Sequence, residues 1–198
     1  MKQALLTAVV TLAASTAFGQ TASQAQRLFE AGQYGQVVDA VTPDSDPAVI
    51  YTAAQSYQRL GQTDQAMQAY GFLAARNEGD PWHSIGLSGQ RLLGEDVEGA
   101  LASAHHAVEL AGAMADAHYQ LALVLAKQRA WPDAATEFDR VTELNASNAY
   151  AYYYGGLMQY RAGHPDRMTN RFEMFLKLAP EAPERPEVTQ TMRAALRR

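Results

Sequence analysis

The chain has 198 residues, 47% of them hydrophobic and 19% charged, a balance that indicates a globular rather than a disordered protein. Its formal net charge is −5 and no run of Lys or Arg offsets it, so a nucleic-acid partner is disfavoured because its phosphates would be repelled. The absence of cysteine excludes disulfides, thiolate metal sites and thiol nucleophiles.

The first residues have the order of a secretory signal peptide. Lys2 is followed by an apolar stretch over residues 4–14, and small residues stand at Ala17 and Gly19, as in a cleavage site. The alternative is an uncleaved anchor, but the apolar stretch is far shorter than the roughly 20 residues that span a bilayer. We therefore expect residues 1–19 to be removed after Gly19, no transmembrane segment in the mature chain, and a periplasmic or extracellular location.

Residues 20–46 predict a short helix pair at the amino end. Gly32 is a candidate for the turn between the two helices, and Pro43 stops the second helix early. The pair is shorter than the units that follow, since Gly32 lies closer to the next such turn, at Gly61, than a full unit would place it. We interpret it as an abbreviated amino-terminal cap.

A regular period runs through the following four units, which cover residues 47–80, 81–114, 115–148 and 149–182. The twentieth position of each unit is mostly small: Ala66, Ala100, Ala134 and Met168. The twenty-fourth is mostly bulky and apolar: Tyr70, Ala104, Phe138 and Phe172. Spacings of three and four residues share one helical face, so each unit predicts a packed helix pair that must stack on its neighbours.

This pattern resembles the tetratricopeptide repeat family, in which each helix pair of about 34 residues has small and large residues at fixed positions. Unit 115–148 fits best, with these residues on family positions: Leu121, Ala122, Leu125, Trp131, Ala134, Phe138 and Val141. The resemblance implies an all-α, right-handed α-solenoid of stacked antiparallel helix pairs that binds proteins.

Two regions depart from the regular period. In unit 81–114 the distance from Gly94 to Ala100 is one residue longer than that from Gly61 to Ala66, which leaves the register of its first helix open. Residues 183–198 do not form a further pair. They predict a carboxyl-terminal capping helix with an apolar stripe that covers the last repeat: Val188, Met192 and Leu196.

The stretch 149–160, AYAYYYGGLMQY, combines five tyrosines with two adjacent glycines. In a helix, Gly155 and Gly156 predict that the partner helix approaches closely at these positions. The packing gained there offsets the poor helix propensity of glycine. A phosphate-binding loop is the alternative, but it requires a preceding strand and a following Lys-Ser or Lys-Thr pair, which the sequence lacks.

The resemblance also predicts a partner-binding surface, because positions 2, 5, 9, 12 and 13 of the family's repeats line the concave side of the solenoid. The residues predicted to contact a partner are Tyr51, Arg59, Trp82, Ile85, Tyr119, Leu123, Lys127, Tyr150, Tyr153, Leu157, Tyr160 and Arg161. Aromatic and arginine side chains of this kind are common at binding hot spots. The alternative is a tight superhelix that these rings fill themselves.

Some members of the family hold a terminal carboxylate with Lys at position 5 and Asn at position 9. Here position 5 is Tyr or Ile and position 9 is Gln, Gly or Leu, so that mode of two-point anion capture is not predicted. A protein or peptide segment with apolar side chains fits this lining better.

No residue pattern points to catalysis, a metal or a cofactor. No two of the five histidines have the i, i+4 spacing of a helical zinc site, and no Gly-x-Ser-x-Gly motif is present. We therefore predict a non-enzymatic scaffold that assembles a cell-envelope complex. The alternatives are a self-associating structural unit that pairs through its aromatic face and, third, a receptor for a small ligand.

Overall fold

The computed structural model describes residues 20–39 and 41–195, and all regular structure within these residues is helical. The amino-terminal pair is α1 (Ala22–Glu30) and α2 (Tyr34–Val38). The next four pairs are α3 (Pro47–Arg59) with α4 (Thr63–Ala74), α5 (Pro81–Leu93) with α6 (Val97–Leu110), α7 (Ala115–Lys127) with α8 (Trp131–Leu144), and α9 (Ala149–Arg161) with α10 (Pro165–Leu178). The last helix is α11 (Arg185–Ala195).

The four regular pairs begin at the residues where the sequence period begins, and each helix packs on the one before it. Pro47 and Pro81 occupy first helical turns, where the missing N–H removes no helical hydrogen bond. The preceding Asp46 and Asp80 accept hydrogen bonds from backbone N–H groups and so cap these helices. Consecutive stacking of antiparallel pairs confirms the predicted α-solenoid.

One shared turn conformation sets the register of all four regular pairs. One residue in the turn after each first helix has a positive φ: 72° at Gly61, 64° at Glu95, 64° at Arg129 and 86° at Gly163. These positions are one full period apart, so the turn in unit 81–114 lies at Glu95 and not at Gly94. Helix α5 therefore has the same 13-residue length as α3, and the question of its register is settled.

The core lies between the helices of each pair, where the small and large positions of the period meet. Ala66, Ala100, Ala134 and Phe172 are fully buried. A Cβ added at Gly156 would lie 2.7 Å from the ring of Phe172, which confirms that α9 and α10 approach closely at this glycine.

The first helix pair and the segment after the last repeat meet on the inner side of the solenoid. Helix α1 packs on α3, but its Phe29 also lies against Tyr150 of α9, in the last of the regular repeats. Pro183, between α10 and α11, lies so close to the α1–α2 turn that a Cβ added at Gly32 would be 3.1 Å from its Cδ. The inner side of the solenoid is therefore closed over part of its length by the chain itself.

Helix α11 covers the last repeat, as predicted, by packing on α10. Val188 is buried and Arg193 is exposed, while Leu196 lies outside the described residues, as do residues 1–19 of the proposed signal peptide. None of the helices in the described ranges combines the length and the apolar character needed to cross a membrane.

Candidate functional site: the inner face of the solenoid

Part of the predicted partner-binding surface is buried within the chain. The buried members are Tyr51, Ile85, Tyr119, Tyr150 and Tyr153, of which the most accessible, Tyr153, is 6% exposed. The expectation that these side chains line an open groove is therefore corrected. The superhelix is tight enough that its own rings fill the space, which is the alternative interpretation of the sequence.

Ring contacts join five side chains into one aromatic assembly, here called the inner cluster: Phe29, Tyr119, Tyr150, Tyr153 and Tyr154. The Tyr51 ring packs instead on Tyr70 and Trp82. The Phe29 and Tyr150 ring centroids are 4.9 Å apart, and those of Tyr153 and Tyr154 are 5.0 Å apart. The Tyr119 and Tyr154 rings meet edge to face at 6.3 Å. Tilted and edge-to-face contacts are the favoured geometries of aromatic pairs, so the cluster is a packed core.

Helix α1 closes the cluster from the amino-terminal side. Glu30 Oε1 accepts a hydrogen bond of 3.0 Å from the backbone N–H of Ala149, the first residue of α9. A carboxylate is favoured at a helix amino terminus by the exposed N–H groups and the helix dipole. Burial raises the pKa of Glu30, although the hydrogen bonds from Gln26 and Ala149 act in the opposite direction.

A carboxylate of the chain is bound on the inner face by two side chains from different repeats. Arg59 Nη1 lies 2.9 Å from Oε1 of Glu184, and the Tyr150 hydroxyl donates to Oε2 of Glu184 at 2.7 Å. Arg59 Nη2 also donates to the Tyr154 hydroxyl at 2.7 Å. Two-point anion capture thus does occur here, from positions 13 and 2 of the repeats rather than from positions 5 and 9.

The Arg59 guanidinium is further stabilised by the faces of the surrounding rings. Its carbon lies 5.2 Å from the centroid of Tyr150 and 5.9 Å from that of Tyr154. Such cation–π contacts favour a cation that has lost part of its hydration.

A hydrogen-bonded ladder crosses the inner side between three repeats. The Tyr51 hydroxyl donates to Gln120 Oε1 at 3.0 Å, Gln120 Nε2 donates to the Ser88 hydroxyl at 3.0 Å, and Ser88 donates to the Ala100 carbonyl at 2.9 Å. All four residues are buried, so the ladder satisfies polar groups that would otherwise be unpaired. Burial raises the pKa of Tyr51 well above its usual range, which keeps its hydroxyl a donor.

The remaining predicted residues stay accessible, and most lie at the carboxyl-terminal ends of the inner helices. We call this group the rim: Arg59, Leu123, Lys127, Leu157, Tyr160 and Arg161. Tyr160 is 40% exposed, and a cleft of about 330 Å³ beside Arg59 is lined by Gln55, Gln58 and Leu123. Trp82 is half-buried against Tyr51 and lies apart from the rim.

A second cleft, of about 400 Å³, lies at the opposite, amino-terminal end of the inner helices and is lined by Arg27, Glu30, Asp116 and Asn148. Burial, with the nearby charge of Asp46, raises the pKa of Asp116 to about 6. Within residues 20–39 and 41–195 no group of three or more His, Asp and Glu side chains is placed to bind a metal ion.

Sequence reasoning missed several residues that build this face. Phe29 belongs to the cap, Tyr154 falls on position 6, and Glu184 follows the last repeat, so none occupies a position that the family pattern marks as concave. No local pattern identifies them, because their contacts join residues from distant parts of the chain, as the pair of Arg59 and Glu184 does.

Comparison with known proteins agrees with this architecture. A tetratricopeptide repeat sequence model matches residues 48–74. The fold is also that of TTC0263, "a thermophilic TPR protein" from Thermus thermophilus, with a TM-score of 0.62 at 18% identity over 90% of this chain and 100% of that one. The chain therefore has the fold of solved tetratricopeptide repeat proteins, and its residues 48–74 match that family by sequence.

Two further solved structures share this fold. YrrB, "a TPR protein with an unusual peptide-binding site", has a TM-score of 0.55 at 18% identity over 85% of this chain and 88% of its own. MamA has a TM-score of 0.51 at 18% identity, with 79% of this chain and 88% of its own covered. No curated protein matches the chain by sequence. The fold supports a protein–protein interaction scaffold, since repeat proteins of this family bind proteins or peptides.

Proposed function

We propose that this protein is a non-enzymatic adaptor of the cell envelope that binds a segment of a partner protein at the rim. The supporting observation is that the rim is the part of the concave surface that the described chain leaves uncovered, with Tyr160 40% exposed. Arg59 and Leu123 line the adjoining cleft together with Tyr119 and Tyr154, and such side chains offer both apolar area and hydrogen-bond donors to a peptide. A preorganised helical scaffold loses little conformational entropy when such a segment docks.

The similarity to YrrB gives this proposal a second support, because that protein has the same fold and its peptide-binding site is described as unusual. The proposed location has a separate basis in the sequence of residues 1–19. Mass analysis of the mature protein tests it: an amino terminus at Gln20 in the exported fraction supports the proposal, and an intact Met1 in the cytoplasm contradicts it.

A matched pair of variants tests binding at the rim. Leu157→Ala with Tyr160→Ala removes apolar area from the rim, and Leu110→Ala removes a side chain of equal 40% exposure at the end of α6. Cross-linked capture from the envelope fraction should recover the same partner with the wild-type chain and Leu110→Ala, and lose it with the rim variant. Equal capture by all three chains would contradict binding at the rim.

Self-association through the aromatic face is the structural alternative. The rings that would have to meet a second copy are packed against each other within one chain, so the geometry gives this alternative less support. Sedimentation at several concentrations decides between the two: a concentration-independent monomer favours the adaptor, and a stable dimer favours the alternative.

A further inference from the structure

The connection between α10 and α11, residues 179–184 (APEAPE), turns back onto the inner face of the solenoid; we call it the return loop. Ala182 is 4% exposed and Glu184 is 9% exposed, while Pro183 lies against Gly32. A connection between two surface helices usually runs over the outside of a protein. This one instead inserts an acidic side chain between repeats.

The binding of Glu184 has the chemistry of peptide recognition. Both carboxylate oxygens are bound, one by Arg59 of α3 and the other by Tyr150 of α9, and the guanidinium lies over the Tyr150 ring. Burial, with hydrogen bonds to Tyr34 and Glu184, raises the pKa of Tyr150 far above its usual range, so its hydroxyl remains a donor. Charge-assisted bonds of this kind are stronger than neutral ones and specify a carboxylate.

The site is also reachable from solvent. The Arg59 side chain is 28% exposed and lines the open cleft of the rim, together with Gln55 and Gln58. A segment bound at the rim therefore lies beside the guanidinium that Glu184 occupies. Lys127 and Arg161 add two further positive charges at the carboxyl-terminal ends of α7 and α9, on a chain whose net charge is −5.

We propose that Arg59 and Tyr150 form a binding site for an acidic side chain of the partner, and that the return loop occupies this site in cis. This inference rests on the proposed function and specifies its ligand: a segment with a carboxylate side chain flanked by small residues and proline. The small residues and proline are taken from the return loop itself, whose Pro183 fits so closely that a Cβ added at Gly32 would lie 3.1 Å from its Cδ. Displacement of the return loop by the partner then regulates access, since a tethered ligand competes at a high effective concentration.

The test uses the full chain and an octapeptide copied from residues 179–186, APEAPERP. The Glu184→Gln variant weakens the internal ligand and leaves Arg59 and Tyr150 in place. Isothermal titration should show that the peptide binds this variant at least about tenfold more tightly than it binds the wild-type chain. A peptide in which both Glu181 and Glu184 are changed to Gln should bind neither chain.

Two controls separate a binding site from a structural clamp. Adding Arg59→Gln to Glu184→Gln should abolish peptide binding, with helicity and melting compared among all variants. If the acidic peptide does not bind Glu184→Gln, or if the Gln peptide binds equally well, the pair is a clamp and the proposal is overturned. If the Glu184→Gln variant does not fold, the wild-type chain is titrated with each peptide up to millimolar concentration and followed by NMR. The proposal then requires that the Arg59 Nε resonance shifts with the acidic peptide and not with the Gln peptide.

Partner capture distinguishes failure of this inference from failure of the proposed function. Glu184→Gln should increase capture of the envelope partner, whereas Leu157→Ala with Tyr160→Ala should abolish it. Loss in the rim variant without any change in Glu184→Gln would leave the adaptor intact and overturn the acidic-site inference. Unchanged capture in both variants would contradict both.

Discussion

The two halves of the inner helices have the same residue types but different environments. On α9, Tyr153 is 6% exposed and Tyr160, two turns further along, is 40% exposed. The sequence predicts that both face a partner, since both occupy positions that line the concave side of the family's solenoids. The comparison shows that facing inward and being accessible are separate properties.

The difference arises because the closed half is covered by chain from outside the regular repeats. Phe29 of α1 and Glu184 of the return loop both contact Tyr150, and no equivalent segment of the described chain lies over Tyr160. Burial of aromatic area and pairing of polar groups stabilise the closed half. The rim then remains for binding because nothing within residues 20–39 and 41–195 covers it.

The largest expected effect on stability comes from truncating two side chains of the closed half to alanine, compared with a matched pair at the rim. Tyr119→Ala with Tyr153→Ala should lower the free energy of unfolding by at least about 4 kcal/mol, because both rings are buried. Leu157→Ala with Tyr160→Ala should lower it by about 1 kcal/mol or less. Urea denaturation measures both values, and equal losses would show that the two halves do not differ in packing.

A pH-dependent effect is expected at the amino-terminal end of the closed half. The folded-state pKa of Asp116, about 6, exceeds its ordinary value of 3.8, so the folded state binds this proton more tightly. Stability should therefore rise as the pH falls from 6 towards 4. Asp116→Asn should raise stability at pH 7 by at most about 3 kcal/mol and flatten that dependence.

Thermal melting between pH 4 and pH 8 checks this prediction. Arg27, Glu30 and Asp46 are the other charged groups near Asp116, and the raised pKa of Glu30 acts in the same direction, so a smaller slope should remain. An Asp116→Asn profile that is identical to the wild-type profile would show that this carboxyl is not buried in solution.

The polar ladder of the closed half should give the next largest effect. Gln120→Leu removes the acceptor of the buried Tyr51 hydroxyl and one of the two hydrogen bonds of Ser88, and should cost about 2 kcal/mol. Adding Tyr51→Phe should recover part of this loss, because the unpaired hydroxyl is then absent. A double-mutant cycle measures the coupling, and purely additive losses would contradict a Tyr51–Gln120 bond.

The smallest effect is expected at the rim, where the Arg161 guanidinium lies 4.8 Å from the centroid of Trp131. Arg161→Gln removes an exposed cation–π contact and should cost only about 0.5–1 kcal/mol. Trp131→Leu provides the matched background: in it, Arg161→Gln should have almost no effect on the melting temperature. A loss above that of the Gln120 variant would place Arg161 among the core contacts.

The glycine at the end of α5 illustrates a limit of sequence patterns within the fold itself. Gly94 suggests a shifted turn, yet Glu95 takes the left-handed conformation that Gly61 and Gly163 take elsewhere. Packing of α5 on α4 and α6 fixes the register and outweighs the local strain of a non-glycine residue in that conformation. The sequence period, which reflects packing between helices, therefore predicts the position of this turn better than the position of the glycine does.

The amino-acid sequence by itself determined the helix pairs and their regular step along the chain. These follow from hydrophobic spacing and turn residues, which act over a few positions along the chain. Tertiary structure alone decided how tightly the solenoid closes, and with it which inward side chains are buried. That closure depends on Phe29, Arg59 and Glu184 meeting across several repeats, and no local pattern encodes contacts at such separations.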